Sequence, residues 1–346
     1  MPVPARRIAS AVESWFERHQ RPLPWRESYD PYHVWVSEVM LQQTRMEVVL
    51  RHYPSFLGRF PTLVALAGAE EQEVLAAWSG LGYYRRARML HAGAREVVER
   101  FGGMVPDEVE PLLSIPGIGR YTAGAIASIV YRRRAAVVDG NVARIVARLA
   151  AIAEPAGSSR LMRAAWIEAE RLAGVSRDPR LFNQGLMEIG ALICTPRKPA
   201  CGRCPVRRHC AAFAAGRTGS LPAPKEKRTA RKVVVPLYWI EDGRGRILMR
   251  RERGPLMTAM FHLPHGSTEL LPGSPLRVTP GDLLGTFRHT ITTRNVEFRL
   301  HAADLASSVG DNGDYAWIDP AELGRVPHPS YVAKAMTARI ASCAGG

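Results

Sequence analysis

Four cysteines crowd into one short stretch of this chain. The segment CTPRKPACGRCPVRRHC, residues 194–210, places Cys194, Cys201, Cys204 and Cys210 at the spacing C-x6-C-x2-C-x5-C. Four thiolates so close together can surround one metal centre, and an all-sulfur set suits zinc or an iron–sulfur cluster. The spacing favours a metal over disulfides. Basic residues interrupt the segment and predict a cationic loop that contacts phosphates: Arg197, Lys198, Arg203, Arg207 and Arg208.

Two carboxylates have settings that favour acid–base or electrostatic chemistry. In HVWVSEVMLQQT, residues 33–44, apolar residues surround Glu38 on nearly every side of a predicted helix. Burial would raise the pKa of this carboxyl and let it hold a proton at neutral pH. Asp139 follows an apolar run and stands at the start of another predicted helix, in VVDGNVARIVARL. The structural alternatives are a Glu38 that pairs with an arginine or points to solvent, and an Asp139 that only caps its helix with support from Asn141.

A glycine-rich loop, PGIG, separates a short predicted helix at residues 106–115 from a longer one beginning at RYTAGA. Gly117 and Gly119 can adopt positive φ and let the backbone approach another chain closely. The unpaired N–H groups of the following helix suit an anion such as a DNA phosphate. The alternative is an ordinary tight turn between packed helices.

The charge of the whole chain favours a polyanionic partner. Its 346 residues contain 47 Lys and Arg against 32 Asp and Glu, a formal net charge of +15. Nucleic acid is the favoured partner, with a membrane surface as the competing interpretation. The sequence contains neither an apolar run long enough to span a membrane nor an apolar leader with a cleavage site. We therefore expect an intracellular protein, cytoplasmic and associated with the nucleoid if the source is bacterial.

Hydrophobic periodicity divides the chain into two domains. Amphipathic helical patterns fill residues 1–216, and residues 217–232, RTGSLPAPKEKRTARK, form a basic linker. Residues 233–346 contain short β-rich runs and a closing helix, typical of an α+β domain. The predicted strands and helix are VVVPLYWIED, GRILMRRE, TFRHTITTRNVEFRLHAADL, YAWIDP and YVAKAMTARI.

Seven motifs, in this order, resemble the adenine DNA glycosylase (MutY) family of the helix-hairpin-helix glycosylases. They are LPWR at 23–26, WVSEVMLQQTR at 35–45, GLGYYRRAR at 80–88, IPGIGRYTAGAI at 115–126, VDGNVAR at 138–144, FNQGLMEIGALIC at 182–194 and the four cysteines. The resemblance covers nearly all of the first domain. It implies an all-α helix-hairpin-helix glycosylase domain with a 4Fe-4S cluster on the cysteine loop, followed by a Nudix-like α+β domain. It also implies a monomer that acts on double-stranded DNA containing adenine opposite 8-oxoguanine or guanine.

The resemblance also assigns roles to individual residues. Glu38 would protonate N7 of a flipped adenine, and Asp139, near Asn141, would stabilise the positively charged sugar. Gly117 and Gly119 would bind the DNA backbone, and Gln43 and Tyr83 would wedge into the base stack. The residues expected to line or support the adenine pocket are Trp25, Arg26, Leu41, Gln184 and Glu188.

The second domain departs from the family at its lesion-reading loop. The usual Phe-Ser-His appears as Phe287, Arg288 and His289, so an arginine replaces a small hydroxyl. Arg288 could add a donor to the lesion or block its approach. The domain lacks a glutamate-rich Nudix signature, which makes pyrophosphate hydrolysis an unexpected activity.

Two other classes of protein remain as alternatives. An endonuclease III-like glycosylase and lyase for oxidised pyrimidines would share the fold and cluster, but its chemistry needs a lysine amine, and Tyr121 stands at the corresponding position. A non-catalytic iron–sulfur DNA-binding protein would have no need of both Glu38 and Asp139.

Overall fold

The computed structural model describes residues 4–225, 232–253, 260–268, 274, 276–291, 294–306 and 314–344. Contacts divide the chain into two compact units. The first unit comprises Met1–Tyr53, Phe60–Gly68 and Met89–Lys227, and the second comprises Pro54–Arg59, Ala69–Arg88 and Arg228–Gly346. The domain boundaries expected from the sequence stay a prediction, and residues 226–231 of the predicted linker lie outside the described residues.

Helices account for most of the chain up to residue 214. Their bounds are α1 Ala5–His19, α2 Pro31–Leu41, α3 Met46–Arg59, α4 Leu63–Gly68, α5 Glu71–Ala77, α6 Arg85–Phe101, α7 Val109–Leu113, α8 Arg120–Ala125, α9 Gly140–Leu149, α10 Ser159–Ala173, α11 Pro179–Leu192 and α12 Ala211–Ala214. A π-helical turn, Ile126–Val130, continues α8. The predicted helical content of this region is confirmed.

Aspartates begin the three helices that matter most for the candidate site. The side chain of Asp30 accepts from the His33 N–H at the start of α2, where Pro31 occupies the first helical position. Asp139 caps α9 and Asp178 caps α11 in the same way. A capped N-terminus satisfies otherwise unpaired N–H groups and typically stabilises a helix by about 1 kcal/mol.

The main core of the first unit lies between α1, α9, α10 and α11. Ile8, Phe16 and Phe182 are among its fully buried members. A smaller core joins α2 to α8 through Val34, Ala125, Ile129 and Val137. Because α2 carries Glu38 and α8 carries Tyr121, this second core holds the two side chains together.

The PGIG loop lies between α7 and α8, as the sequence predicts for a helix-hairpin-helix. Gly117 has a φ of +81°, and a Cβ there would stand 2.7 Å from the Met89 Cβ. Both its conformation and its close contact therefore require glycine. Gly119 does not use the conformational freedom of glycine, since it caps α8 with a φ of −91°, a value open to any residue.

The described residues of the second unit form two three-stranded sheets, ordered β1-β5-β4 and β3-β2-β6. Strand β1 pairs with β5 in parallel, whereas β4 and β5 form an antiparallel hairpin. Helix α13 and the β4–β5 hairpin share a core in which Tyr331 stacks on Phe298 at 4.5 Å. The predicted α+β class is confirmed. The bounds are β1 Lys232–Trp239, β2 Ile247–Arg251, β3 Phe261–His262, β4 Val278–Ile291, β5 Arg294–Leu305, β6 Tyr315–Ile318 and α13 Ser330–Ala344.

Across the described part of the chain, every helix falls short of the length and apolar character that crossing a membrane would need.

Candidate active site

A cavity of about 690 Å³ opens in the first unit beside α2, α8, α11 and the start of α9. This volume lies within the range of small-molecule sites. The cavity brings together residues that are far apart in the sequence. Its lining includes Trp25, Arg26, Glu38, Leu41, Gln43, Tyr121, Asp139, Asn141, Gln184 and Glu188, all of them site residues expected from the sequence.

A second cavity of the first unit is slightly larger, about 770 Å³, but its acidic residues already have structural partners. Asp30 caps α2, and Asp107 forms an ion pair with Arg133. The cavity near Glu38 is therefore the better candidate for chemistry.

Glu38 is a buried carboxyl on the cavity wall, with 3% of its surface exposed. Burial raises the pKa of Glu38 to about 7; the Tyr121 hydrogen bond opposes the rise, the charge of Asp139 adds to it, and Arg26 opposes it weakly. Both the burial and the raised pKa expected from the sequence are confirmed. The carboxyl can therefore hold a proton at neutral pH and release it.

Tyr121 is the partner of Glu38. Its hydroxyl donates to Glu38 Oε2 at 2.7 Å. Burial, with the charges of Glu38 and Asp139, raises the pKa of Tyr121 well above 10, so the phenol keeps its proton. The sequence singles out Tyr121 as a site residue because it stands where a lyase would have its lysine. Its hydrogen bond to Glu38 joins residues 83 positions apart and left no local signal.

Asp139 is partly exposed and performs the capping role that the sequence suggested. Its Oδ1 accepts from the Val142 N–H at 2.7 Å, and its Oδ2 accepts from Asn141 Nδ2 at 2.9 Å. These bonds fix the carboxylate at the cavity wall while leaving it accessible, so capping and a second function are compatible.

A buried ionic network supports one side of the cavity. Glu188 is 2% exposed and accepts from Arg21 Nε at 2.6 Å and from Arg26 Nη2 at 3.1 Å. Although burial opposes ionisation, the two guanidinium groups lower the pKa of Glu188. Arg26 also donates from Nε to Gln184 Oε1 at 2.9 Å. Sequence reasoning missed Arg21, which lies 167 positions from its partner.

Trp25, Leu41 and Gln43 complete the lining on the side of α2. Trp25 is 5% exposed and packs edge-to-face on Tyr53 at 5.2 Å, so it is also a core residue. Gln43 has a φ of +57°, which is uncommon for a side chain of this size. Such conformations often occur at functional sites, because the surrounding structure must hold them in place.

The remaining predicted site residues lie outside this lining. Tyr83 belongs to the second unit, is 53% exposed and has a φ of +48°. On β4, the Arg288 side chain is exposed, with its Nη2 3.9 Å from Glu297 Oε2, whereas His289 Nε2 lies 3.4 Å from Ser330 Oγ. Gly119 has open space where a Cβ would stand.

Helix α9 connects Asp139 and Asn141 to the cysteine loop through two arginines. Arg144 donates to Asn141 Oδ1 and Gly190 O, both at 2.8 Å, and to Cys194 O at 2.7 Å. Arg148, 2% exposed, donates to Cys194 Sγ at 3.2 Å and to Thr195 O at 2.8 Å. Helix α9 thus supports both the cysteine loop and the cavity.

The arrangement of the four cysteines agrees better with a cluster than with a single zinc, the two metal centres that the sequence left open. Within the described residues, no three of these sulfur atoms lie mutually within 4.8 Å. A single tetrahedral zinc would hold them about 3.8 Å apart, given Zn–S bonds of ~2.3 Å. A cluster binds each cysteine to a separate iron and fits the wider spacing. Burial raises the pKa of Cys204 to about 11, so its thiolate needs a positively charged partner.

Comparison with known proteins agrees with this arrangement. Residues 36–170 match the HhH-GPD superfamily of base excision DNA repair proteins, and residues 194–210 match the iron-sulfur binding domain of endonuclease III. A 4Fe-4S cluster is therefore the cofactor of this chain. The four cysteines would hold it, and when bound it would close the loop on which the exposed arginines stand.

Individual curated relatives indicate which kind of glycosylase this chain is similar to. The adenine DNA glycosylase of Homo sapiens is 46% identical over 208 residues, covering 58% of this chain and 38% of that protein. That of Mycobacterium tuberculosis is 43% identical over 194 residues, covering 56% of this chain and 64% of that protein. The chain thus matches less than two thirds of the length of these curated relatives.

Among solved structures, a thermostable thymine-DNA glycosylase aligns with 61% of this chain and 97% of its own, at 29% identity and a TM-score of 0.53. Its fold is that of the helical first part. The family matches and the sequence identities together show that this chain is similar to the adenine DNA glycosylases and, over residues 36–170, to the HhH-GPD superfamily of base excision DNA repair proteins.

Proposed function

We propose that this chain is a monofunctional DNA glycosylase that excises adenine mispaired with 8-oxoguanine or guanine in base excision repair. The observation that carries the proposal is Glu38, a buried carboxyl whose pKa is raised to about 7, on the wall of a cavity that Asp139 also lines. The names of its curated relatives support the choice of base.

The target base must leave the double helix before either carboxyl can reach it. Extrusion of a nucleotide costs a few kcal/mol and is easiest at a mispair. The cavity of about 690 Å³ would receive the flipped adenine, with Trp25 and Leu41 as apolar contacts. Gln43 and Tyr83, both at positive φ, would fill the space that the base leaves in the stack.

Excision then uses the two carboxyls in turn. Glu38 transfers its proton to N7 of adenine, and the electron pair of the C1′–N9 bond moves to the base as that bond breaks. Asp139 stabilises the oxocarbenium character of the sugar through its charge or a transient covalent bond, and water adds to C1′. The proton of that water leaves to a carboxylate or to solvent.

The residue beside Glu38 makes a lyase reaction unfavourable. A lyase would form a Schiff base through a lysine amine. The Tyr121 hydroxyl instead donates to Glu38, and its pKa lies well above 10. The strand would therefore remain intact after the base has left.

DNA would be held by the first unit and the lesion read by the second. Gly117 and Gly119 would let the hairpin backbone approach a phosphate. The Nudix-like domain would contact the base opposite the adenine through Arg288 and His289. The exposed guanidinium of Arg288 offers several donors to 8-oxoguanine or its phosphate.

The decisive experiment is single-turnover incubation of the cluster-containing protein with three duplexes. They carry adenine opposite 8-oxoguanine, adenine opposite guanine, and thymine glycol opposite adenine. We expect adenine loss from the first two, seen as strand breaks only after hot alkali. Loss from neither would refute the proposal. Strand cleavage without alkali, with borohydride trapping through a protein amine, would favour the endonuclease III-like lyase.

Two variants separate the roles of the residues. Glu38→Gln should bind the mispaired duplex normally and lose excision by at least about 100-fold, the typical contribution of a general acid. Near-normal turnover would remove Glu38 from that role.

Arg288→Ala should change the ratio of the excision rates opposite 8-oxoguanine and guanine. An unchanged ratio would show that Arg288 does not contact the lesion.

A further inference from the structure

The second unit contains a buried cluster of three polar side chains that the proposed function does not use. Glu252 directly follows β2, His262 ends β3, and His265 stands three positions later. Their exposed fractions are 3%, 0% and 1%. One nitrogen or oxygen from each side chain lies within 4.8 Å of those from the other two.

The hydrogen bonds of the two histidines determine which ring nitrogens carry protons. His262 Nδ1 lies 3.0 Å from Leu263 O, and His265 Nδ1 lies 3.0 Å from Gly266 O. A carbonyl oxygen can only accept, so Nδ1 is protonated in both rings. In a neutral ring Nε2 then carries a lone pair. Histidines that bind metals are commonly oriented in this way, with the second nitrogen donating to a backbone carbonyl.

The Nε2 atoms of His262 and His265 both lack a good hydrogen-bond partner among the described residues. His265 Nε2 is buried without a hydrogen-bond partner among the described residues. His262 Nε2 lies 3.0 Å from Glu252 Oε2. When His262 is neutral, its lone pair faces an oxygen that also accepts. A proton on His262 would satisfy that pair but would leave His265 Nε2 unsatisfied.

A positive ion between the three side chains satisfies all of them at once. Two imidazoles and one carboxylate form a common zinc ligand set. Ligands of tetrahedral zinc stand about 3.3 Å apart. The spacing here, up to 4.8 Å, therefore requires only small side-chain movements.

We propose that Glu252, His262 and His265 bind one divalent transition-metal ion of the zinc type inside the second unit. The site is separate from the cysteine loop and goes beyond the proposed excision of adenine. It uses nitrogen and oxygen ligands only, whereas the cysteine loop uses sulfur.

The surroundings of the three ligands indicate what the ion would do. His262 belongs to the sheet β3-β2-β6, and Glu252, directly after β2, donates its N–H to Met260 O at 2.8 Å. His265 instead pairs with Leu237 of β1, in the other sheet. Gly266 N–H extends that contact by donating to Pro236 O at 3.0 Å. A bound ion would therefore join the two sheets and stabilise the second unit.

The test uses the full chain with its iron–sulfur cluster intact, freed of loosely bound metals by gel filtration and titrated with Co²⁺ and then with Zn²⁺. We expect one equivalent of Co²⁺ with weak visible absorption and no sulfur-to-cobalt charge-transfer band, displaced by Zn²⁺. His265→Gln and Glu252→Gln should bind at least ten-fold more weakly. His301→Gln, a histidine change elsewhere in the second unit, is the matched control and should bind normally.

A measurement without mutation guards against variants that fail to fold. X-ray absorption at the zinc edge of the zinc-loaded wild-type protein should show nitrogen and oxygen neighbours only. Sulfur in the zinc shell, no binding of either ion, or full binding by both variants would each overturn the proposal. None of these outcomes depends on glycosylase activity, so the site and the proposed function can fail independently.

Discussion

At the scale of single residues, opposing influences hold the pKa of Glu38 near 7. Burial favours the protonated form, and Asp139 adds to that preference, whereas the Tyr121 hydroxyl stabilises the carboxylate. A carboxyl acid is most useful when its pKa lies near the working pH, because it must both hold and release the proton. Tyr121 thus prevents burial from making Glu38 too weak an acid.

The pH dependence of excision should follow this balance. Glu38 acts in its protonated form, which predominates below its pKa of about 7. The single-turnover rate should therefore fall as pH rises through about 7, approaching a tenfold loss for each further unit. Rates measured across this range under saturating enzyme provide the check, and a rate that rises through neutrality would contradict the acid role.

Tyr121→Phe tests how the Tyr121 hydroxyl sets the pKa of Glu38. The change removes the hydrogen bond that lowers the pKa of Glu38, so that pKa should rise and the alkaline limb of the rate profile should move to higher pH. The rate at low pH should also fall, because the carboxyl loses the bond that orients it. A merely structural role would lower the rate at every pH without moving the limb.

The raised pKa also has a consequence for stability. Glu38 binds its proton more tightly in the folded state than in the unfolded state, where its pKa is near 4.5, so stability is lost as pH rises from 4.5 through about 7. This rise in pKa corresponds to about 3 kcal/mol at most. Glu38→Gln mimics the protonated form. At alkaline pH its midpoint of unfolding should lie at a higher denaturant concentration than that of the wild type, and near pH 4 the two midpoints should be equal. Glu96→Gln, on the exposed ion pair with Arg100, is the control and should show no such pH-dependent gain.

At the scale of elements, the site depends on how closely α8 can approach the backbone behind it. A Cβ on Gly124 would stand 2.1 Å from Ala136 O, a distance that no rotamer can relieve. Since α8 also carries Tyr121, any displacement of this helix moves the hydroxyl away from Glu38. The small residues of YTAGA are thus part of the geometry of the site.

Gly124→Ala should therefore destabilise the first unit by about 1–3 kcal/mol, the usual cost of overpacking. It should also shift the pH profile of excision in the direction expected for Tyr121→Phe. Gly68→Ala on α4 is the matched control, because a Cβ there meets nothing within 4 Å. Thermal unfolding and the rate profile test both parts, and equal stability of the two variants would refute the close-contact argument.

The sequence predicts some of these features and not others for physical reasons. Cysteine spacing and the apolar surroundings of Glu38 are local patterns, so the metal loop and the buried acid could be read directly. Tyr121 to Glu38 and Arg21 to Glu188 are contacts between distant positions, which a single sequence does not encode in any short window. His262 and His265 resemble ordinary polar residues until the fold buries them beside Glu252.

At the scale of the whole molecule, each unit has its own hydrophobic core. The first is built from helices α1, α9, α10 and α11, and the second from the two sheets and α13. The change of pattern near residue 217 predicts two domains, and their boundaries stay a prediction. It does not predict that residues 54–59 and 69–88 group with the second unit, because that grouping depends on contacts distant in the sequence.

The effect of the net charge of +15 on DNA binding depends on where the charged side chains lie. On the cysteine loop Arg203 and Arg208 are exposed. Arg100 and Arg171 are different, since each is paired with a glutamate of its own helix, Glu96 and Glu168. Equal losses of formal charge at the two places should therefore have unequal effects on DNA binding.

We expect the double variant R203A/R208A to weaken binding to duplex DNA similarly for all sequences, as contacts to phosphates do. Each lost contact reduces the slope of log K against log salt concentration by about 0.9, so the slope should become shallower by about 1.8. R100A/R171A removes the same charge and should leave the slope nearly unchanged. Binding isotherms at several salt concentrations, with glycosylase activity blocked by Glu38→Gln, measure this difference. Equal slopes for the two double variants would mean that net charge alone, and not the cysteine loop, attracts the DNA.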